Sequence, residues 1–123
     1  MEGITVWIDA WQMQCCGRAF NVGSQVEWDV IPWTFEVLTD TPIEFINYYY
    51  DNHSSSDILK LKGIVTEIYC VYQLYELDAM DNVLKPVSGK LIECNYEAAG
   101  WHADMGEYKF AAYFVRVTQC EVI

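Results

Sequence analysis

Gly3-Ile4-Thr5-Val6-Trp7-Ile8-Asp9-Ala10-Trp11 alternates without a break. Ile4, Val6, Ile8 and Ala10 point one way, and Thr5, Trp7, Asp9 and Trp11 point the other. A period of two over this length predicts a β-strand. The chain then enters Gln12-Met13-Gln14-Cys15-Cys16-Gly17. This reads as a turn, with Gly17 able to take a positive φ. As a structural corner it would pack Trp11 and Met13 inward and join the first strand to the next.

Working outward, Gly23-Ser24 is a turn signal. Val26, Trp28 and Val30 alternate with Glu27 and Asp29, which predicts a second strand with one wet face. Pro32 interrupts it, and Trp33, Phe35 and Val37 resume the alternation. From Thr41 the period changes. Thr41-Pro42-Ile43-Glu44 has the capping-box pattern, with Thr as N-cap and Pro at the first helical position. Ile43, Phe45, Ile46, Tyr49 and Tyr50 then fall on a helical stripe that ends near His53 and Ser54-Ser55-Ser56. The residues from Ile58 to Leu77 are rich in β-branched and aromatic types, with Gly63 marking a bulge or bend. A tip is expected at Asp78 to Asn82, a break at Pro86 to Gly89, and a short strand from Lys90 to Tyr96. Residues 98–106 form a loop, and the chain from Tyr108 to Ile123 is a long final strand. The fold class is therefore mainly β. We expect one domain over residues 1–123, a small, partly open barrel of five to six strands with one short inserted helix. Closure removes exposed strand edges. Strand count alone leaves SH3-like and OB-like topologies both open.

Composition bounds the function. A chain of 123 residues, 53% hydrophobic and 15% aromatic, has material for a core. Such a chain buries roughly two-thirds of its unfolded surface, so neither a disulfide nor a metal is required for folding, and no cofactor is expected. The net charge is −11. Residues 1–57 carry nine carboxylates against one cation, Arg18, and residues 58–123 carry nine against six. Phosphate backbones are bound through Lys and Arg, so direct nucleic-acid binding is not expected. A basic protein or a cationic small ligand suits the charge better. Met1-Glu2-Gly3 lacks the basic start of a signal peptide. No apolar run approaches the ~20 residues of a membrane helix. With five cysteines and no framework spacing, the expectation is a cytoplasmic protein with reduced thiols.

One block of the chain resembles a known family. Trp11-Gln12-Met13-Gln14-Cys15-Cys16-Gly17-Arg18-Ala19-Phe20-Asn21-Val22-Gly23-Ser24-Gln25-Val26-Glu27-Trp28 is similar to the W-Q-M-x-C-C-G-x-x-F-x-V-G-x-x-V-x-W signature of an uncharacterised bacterial family of small proteins. Similar too are the helix ending at His53, the Gly63-Ile64-Val65 strand, and Ala99-Gly100-Trp101 followed by Phe110 and Tyr113-Phe114-Val115. The likeness covers nearly the whole chain. It implies a bacterial or phage origin and carries no activity.

Three functional readings follow. The leading one is a non-catalytic binding domain with an aromatic, acidic face. Its ligand-binding residues would be Trp7, Trp11, Trp28 and Trp101, rimmed by Asp9, Glu27 and Asp29. An aromatic face is a common ligand surface of barrels; the plainer alternative packs Trp7 and Trp11 beneath the helix. The second reading is a thiol- or metal-dependent enzyme at Cys15-Cys16 with His102. A cysteine nucleophile needs a nearby imidazole base, whereas zinc usually takes paired cysteines two to four residues apart. Cys70, Cys94 and Cys120 stand singly in strand-like segments, where free cysteine packs as a small hydrophobe. The third reading is an acidic inhibitor of a basic or nucleic-acid-binding protein. Within Tyr48-Tyr49-Tyr50 at least one ring should be exposed on a helix, a candidate homodimer contact.

Overall fold

The computed structural model describes residues 3–15, 17–33, 45–51, 58–95 and 97–122. Among these residues the structure is mainly β, with six strands and one short helix. In chain order these are β1 (Ile4–Asp9), α1 (Ala10–Cys15), β2 (Gln25–Pro32), β3 (Tyr48–Tyr50), β4 (Leu59–Asp78), β5 (Val83–Glu93) and β6 (Lys109–Val122). The sheet order is β2-β3-β1-β6-β4-β5, and β2 also pairs with β4. Hydrogen bonding thus runs round a ring of five strands, with β5 attached outside it along β4. All pairings are antiparallel except β1 with β3. No helix among the described residues is long and apolar enough to cross a membrane.

The alternation of β1 is real, but both of its faces are covered. Val6 and Ile8 enter the main core with Trp28, Val30, Leu61, Val65 and Tyr113. Trp7 enters a second core with Ile46, Val71, Ala112 and Phe114, against which Trp33 and Tyr49 pack. The strand therefore needs apolar side chains at successive positions, as an internal strand does. β2 shows the expected single wet face: Val26, Trp28 and Val30 are buried, and Gln25 and Glu27 are exposed.

Several sequence expectations are corrected. The segment after β1 is a helical turn and a half, α1, rather than an irregular turn. Its Met13 is buried as expected, but Trp11 is 52% exposed. Gly17 does not have a positive φ. It is needed for close approach instead, because a Cβ there would lie 2.4 Å from Met13 Sδ and 2.9 Å from Met13 Cα. Its N–H closes the helix onto the Gln12 carbonyl at 3.0 Å.

Another correction concerns the expected helix. Residues 45–47 are neither helix nor strand, and Tyr48–Tyr50 is strand β3. Tyr49 pairs with Trp7 across a parallel ladder and with Ile31 across an antiparallel one. Tyr49 and Tyr50 diverge into the two cores, as neighbours on a strand must. Tertiary pairing overrides the apparent helical stripe. The capping box Thr41–Glu44, Phe35, Val37, His53 and the three serines lie outside the described residues.

A last correction is at Pro86. The strand runs through it as β5, because β5 is an edge strand where a missing N–H costs no ladder bond. A register shift at Leu74/Tyr75 lies opposite. The bend at Gly63 stands as read: the β4–β6 register shifts there, and a Cβ would lie 2.5 Å from Val117 Cγ1.

Candidate functional site

Two segments far apart in sequence meet at one corner of the fold, α1 and the loop of residues 97–106. Gln14 Nε2 donates to the Gly100 carbonyl at 2.8 Å. Gly100 has φ of +92°, and a Cβ on it would lie 3.0 Å from Met13 Cβ and 3.1 Å from the Gln14 nitrogen. Only glycine fits both that backbone and that gap. The helix is fastened underneath by Gln12, which is 1% exposed. Its amide donates to the Tyr50 carbonyl at 2.8 Å and to Tyr49 Oη at 3.1 Å. The loop is also tied to the segment before β2, where Phe20 and Ala98 exchange backbone hydrogen bonds of 3.3 and 2.8 Å.

Each of the two segments carries an exposed tryptophan. Trp11 projects from α1, and Trp101, 70% exposed, follows Gly100 directly. Loop residues 97–107 carry Glu97, Asp104 and Glu107 and no Lys or Arg. Asp104 accepts the Phe110 N–H at 3.0 Å and lies 3.5 Å from Lys109 Nζ.

Beneath the junction is a cluster that the sequence did not reveal. Cys70 on β4 is the direct cross-strand partner of Tyr113 on β6 and of Ile92 on β5. Cys94, two residues past Ile92, bonds to the Ile68 carbonyl at 2.8 Å. It is therefore the diagonal neighbour of Cys70 on the same face. His102 folds back from the loop onto this pair. Its Nε2 is 2.6 Å from Tyr113 Oη, and its ring meets Phe110 edge-on at 4.8 Å. The ligand atoms of Cys70, Cys94 and His102 all lie within 4.8 Å of one another. Cys70 is 2% exposed, Cys94 3% and Tyr113 0%. The Tyr113 hydroxyl also accepts the Gly100 N–H at 2.8 Å.

Burial sets the protonation of this cluster. It pushes the Cys70 thiol up to about 12, helped by the charge and hydrogen bond of Cys94. It also raises the Tyr113 phenol and lowers the His102 imidazole. At neutral pH Cys70 is thus a protonated thiol, Tyr113 a phenol and His102 a neutral imidazole.

The residues singled out from sequence are divided by the fold. Trp11 and Trp101 are brought to the same corner. Trp7 is buried, its Nε1 donating to Asp9 Oδ1 at 2.9 Å and its ring 5.6 Å from Trp33. Trp28 is buried too, edge-on to Phe20 and Tyr50. It lines a surface cavity of about 490 Å³ shared with Arg18, Gln25 and Glu27. Of the expected acidic rim, Asp9 also accepts the Tyr49 hydroxyl, and Asp29 pairs with Lys60 at 2.6 Å. His102 meets Cys70 and Cys94. Cys15 is disulfide-bonded, with its sulfur 3.6 Å from the Gln12 carbonyl oxygen. Cys16 lies outside the described residues. Cys120 stands apart on β6, its sulfur 3.0 Å from the Val117 carbonyl.

Neither a curated protein nor a solved structure matches this chain. A family model does, over residues 2–119, and so the chain belongs to a family of unknown function (DUF6578).

Proposed function

We propose that this protein is a non-catalytic binding domain that takes a basic peptide segment at the corner of α1 and the 97–106 loop. The observation that carries this reading is the exposure of Trp11 and Trp101 on two segments locked together by the Gln14–Gly100 hydrogen bond. Exposed tryptophan offers flat apolar area and the best ring for an Arg or Lys cation. The loop holding Trp101 carries Glu97 and Asp104 and no Lys or Arg, and the whole chain is acidic at −11. That field favours approach of a cationic partner. The same face would serve an inhibitor that occupies the basic site of another protein.

Two observations turn the reading away from thiol catalysis. A nucleophilic cysteine needs a thiolate, and burial holds Cys70 protonated. Cys15 is engaged in a disulfide.

The test is fluorescence titration with a short arginine-rich peptide, and a glutamate-rich peptide of equal length as control. Binding of the arginine peptide should weaken as salt rises. Loss of one cation–π contact is worth about 0.5–2 kcal/mol, or roughly 2- to 30-fold in affinity. Trp101→Ala and Trp11→Ala should each weaken binding within that range. Failure of the arginine peptide to bind at low salt, or equal binding by the double variant, would defeat the proposal.

A further inference from the structure

We propose that Cys70, Cys94 and His102 form a binding site for a thiophilic divalent cation, zinc in the first instance. This rests on the cluster beneath the corner and is independent of the peptide-binding reading.

Geometry is the first support. Tetrahedral zinc with bonds of about 2.3 Å to sulfur and 2.0–2.1 Å to nitrogen holds its ligand atoms about 3.5–3.8 Å apart. Here the three atoms already lie within 4.8 Å of one another. Closing by about 1 Å is within the reach of side-chain rotation. Neither sulfur is in a disulfide, and their arrangement suits an ion between them better than a direct bond. Diagonal neighbours in a sheet sit about 7–8 Å apart at Cα, whereas disulfide Cα atoms usually sit 4.4–6.8 Å apart.

Charge is the second support. Burial disfavours a lone thiolate in this place, but two thiolates, one dication and a neutral imidazole sum to zero. On binding, two sulfur–metal bonds form, two S–H bonds break, and two protons leave to solvent. The imidazole binds through a neutral ring nitrogen.

The surroundings are the third support. Metal-bound histidine is ordinarily held by a hydrogen bond from its other face to an oxygen. His102 Nε2 meets Tyr113 Oη, itself fixed by the Gly100 N–H, so in the proposed site Nδ1 is the ligand nitrogen. Tyr113 is thus a positioning residue for the ring. The ion would join β4, the residue after β5 and the 97–106 loop, so it would pin the loop that carries Trp101.

The experiment uses untagged protein, stripped with chelator and titrated with Co²⁺ and then Zn²⁺. One Co²⁺ per chain should bind, with sulfur-to-cobalt charge-transfer absorption of two thiolates and tetrahedral d–d bands. Zn²⁺ should displace it and raise the melting temperature. Cys70→Ser, Cys94→Ser and His102→Gln, each checked for fold by circular dichroism, should lose more affinity than the roughly 10- to 100-fold that an outer partner costs. Tyr113→Phe should fall within that 10- to 100-fold range, with the d–d bands shifted. Cys120→Ser should bind as the parent does. The wild-type cobalt spectrum needs no variant, so a variant that fails to fold does not decide the matter. A spectrum without thiolate charge transfer overturns the proposal. So does retention of binding by Cys70→Ser and Cys94→Ser, or a signal lost only when Cys15 and Cys16 are replaced.

Discussion

Gly23 and Gly100 offer a controlled measure of how tightly the corner is locked. Both have φ of +92°, so replacing either by alanine forces the same left-handed backbone on an L side chain. That costs roughly 1–2 kcal/mol. Stiffening the unfolded chain returns about 0.4–1 kcal/mol. Their surroundings differ completely. A Cβ at Gly23 meets nothing within 4 Å, whereas one at Gly100 meets Met13 Cβ at 3.0 Å and the Gln14 nitrogen at 3.1 Å. Met13 is buried and cannot retreat freely, and overpacking of this kind costs about 1–3 kcal/mol. Gly100 also makes two hydrogen bonds, to Tyr113 and from Gln14, each worth about 0.5–1.5 kcal/mol if disturbed. Gly23→Ala should therefore lose about 1 kcal/mol and Gly100→Ala about 3 kcal/mol. Urea unfolding followed by circular dichroism measures both, with the m-value expected to stay constant. Costs for the two variants that agree within about 0.5 kcal/mol would show that α1 does not press on the loop, and the reasoning about the corner would fail with it.

Two further predictions follow from the core. Gln12→Leu keeps the volume near α1 but removes both amide hydrogen bonds to β3, so it should destabilise by about 1–3 kcal/mol in the same urea assay; an unchanged midpoint would mean that α1 is held by Met13 alone. At high pH, burial raises the phenols of Tyr49, Tyr50, Tyr69, Tyr75 and Tyr113. A group whose folded pKa is raised contributes stability below its unfolded value of about 10 and loses it as pH climbs towards the folded value. Stability should therefore fall as pH climbs above about 10, and tyrosinate absorbance from these five rings should lag behind that of a free phenol; all five titrating near pH 10 in an intact fold would contradict the burial assigned to them.

The legible parts of the fold were those set by local pattern. β1, β2, β4 and β6 announce themselves by alternation or by β-branched residues, and Gly63 by interrupting a long apolar strand. The unreadable parts depend on partners distant in sequence. Tyr48–Tyr50 has no alternating pattern to declare it a strand; β1 and β2 both hold it as one. A helix of six residues is too short for periodicity to declare it. The candidate site was half legible. His102 and Trp101 drew attention by standing together in a glycine-marked loop. Cys70 and Cys94 did not, because they are separated by 23 residues and resemble ordinary strand cysteines.

That separation explains why the cluster exists at all. In a sheet a slip of one residue moves a side chain to the opposite face. Cys70 faces the main core only because the bulges between Val65/Glu67 and Val71/Tyr72 set the β4–β6 register that places it opposite Tyr113. Its neighbour Val71 enters the second core. The same register puts the Tyr113 hydroxyl where Gly100 can donate to it and where His102 can meet it. One strand pairing therefore fixes the thiol, the phenol and the height of the tryptophan loop together. A change in that register would reach the buried cluster and the exposed face at once. The corner formed by α1 and its Trp11–Gly17 sequence is the outer half of this arrangement. Its cysteine pair drew the eye, but its part in the fold is to supply Met13 and Gln14 as the wall against which Gly100 rests.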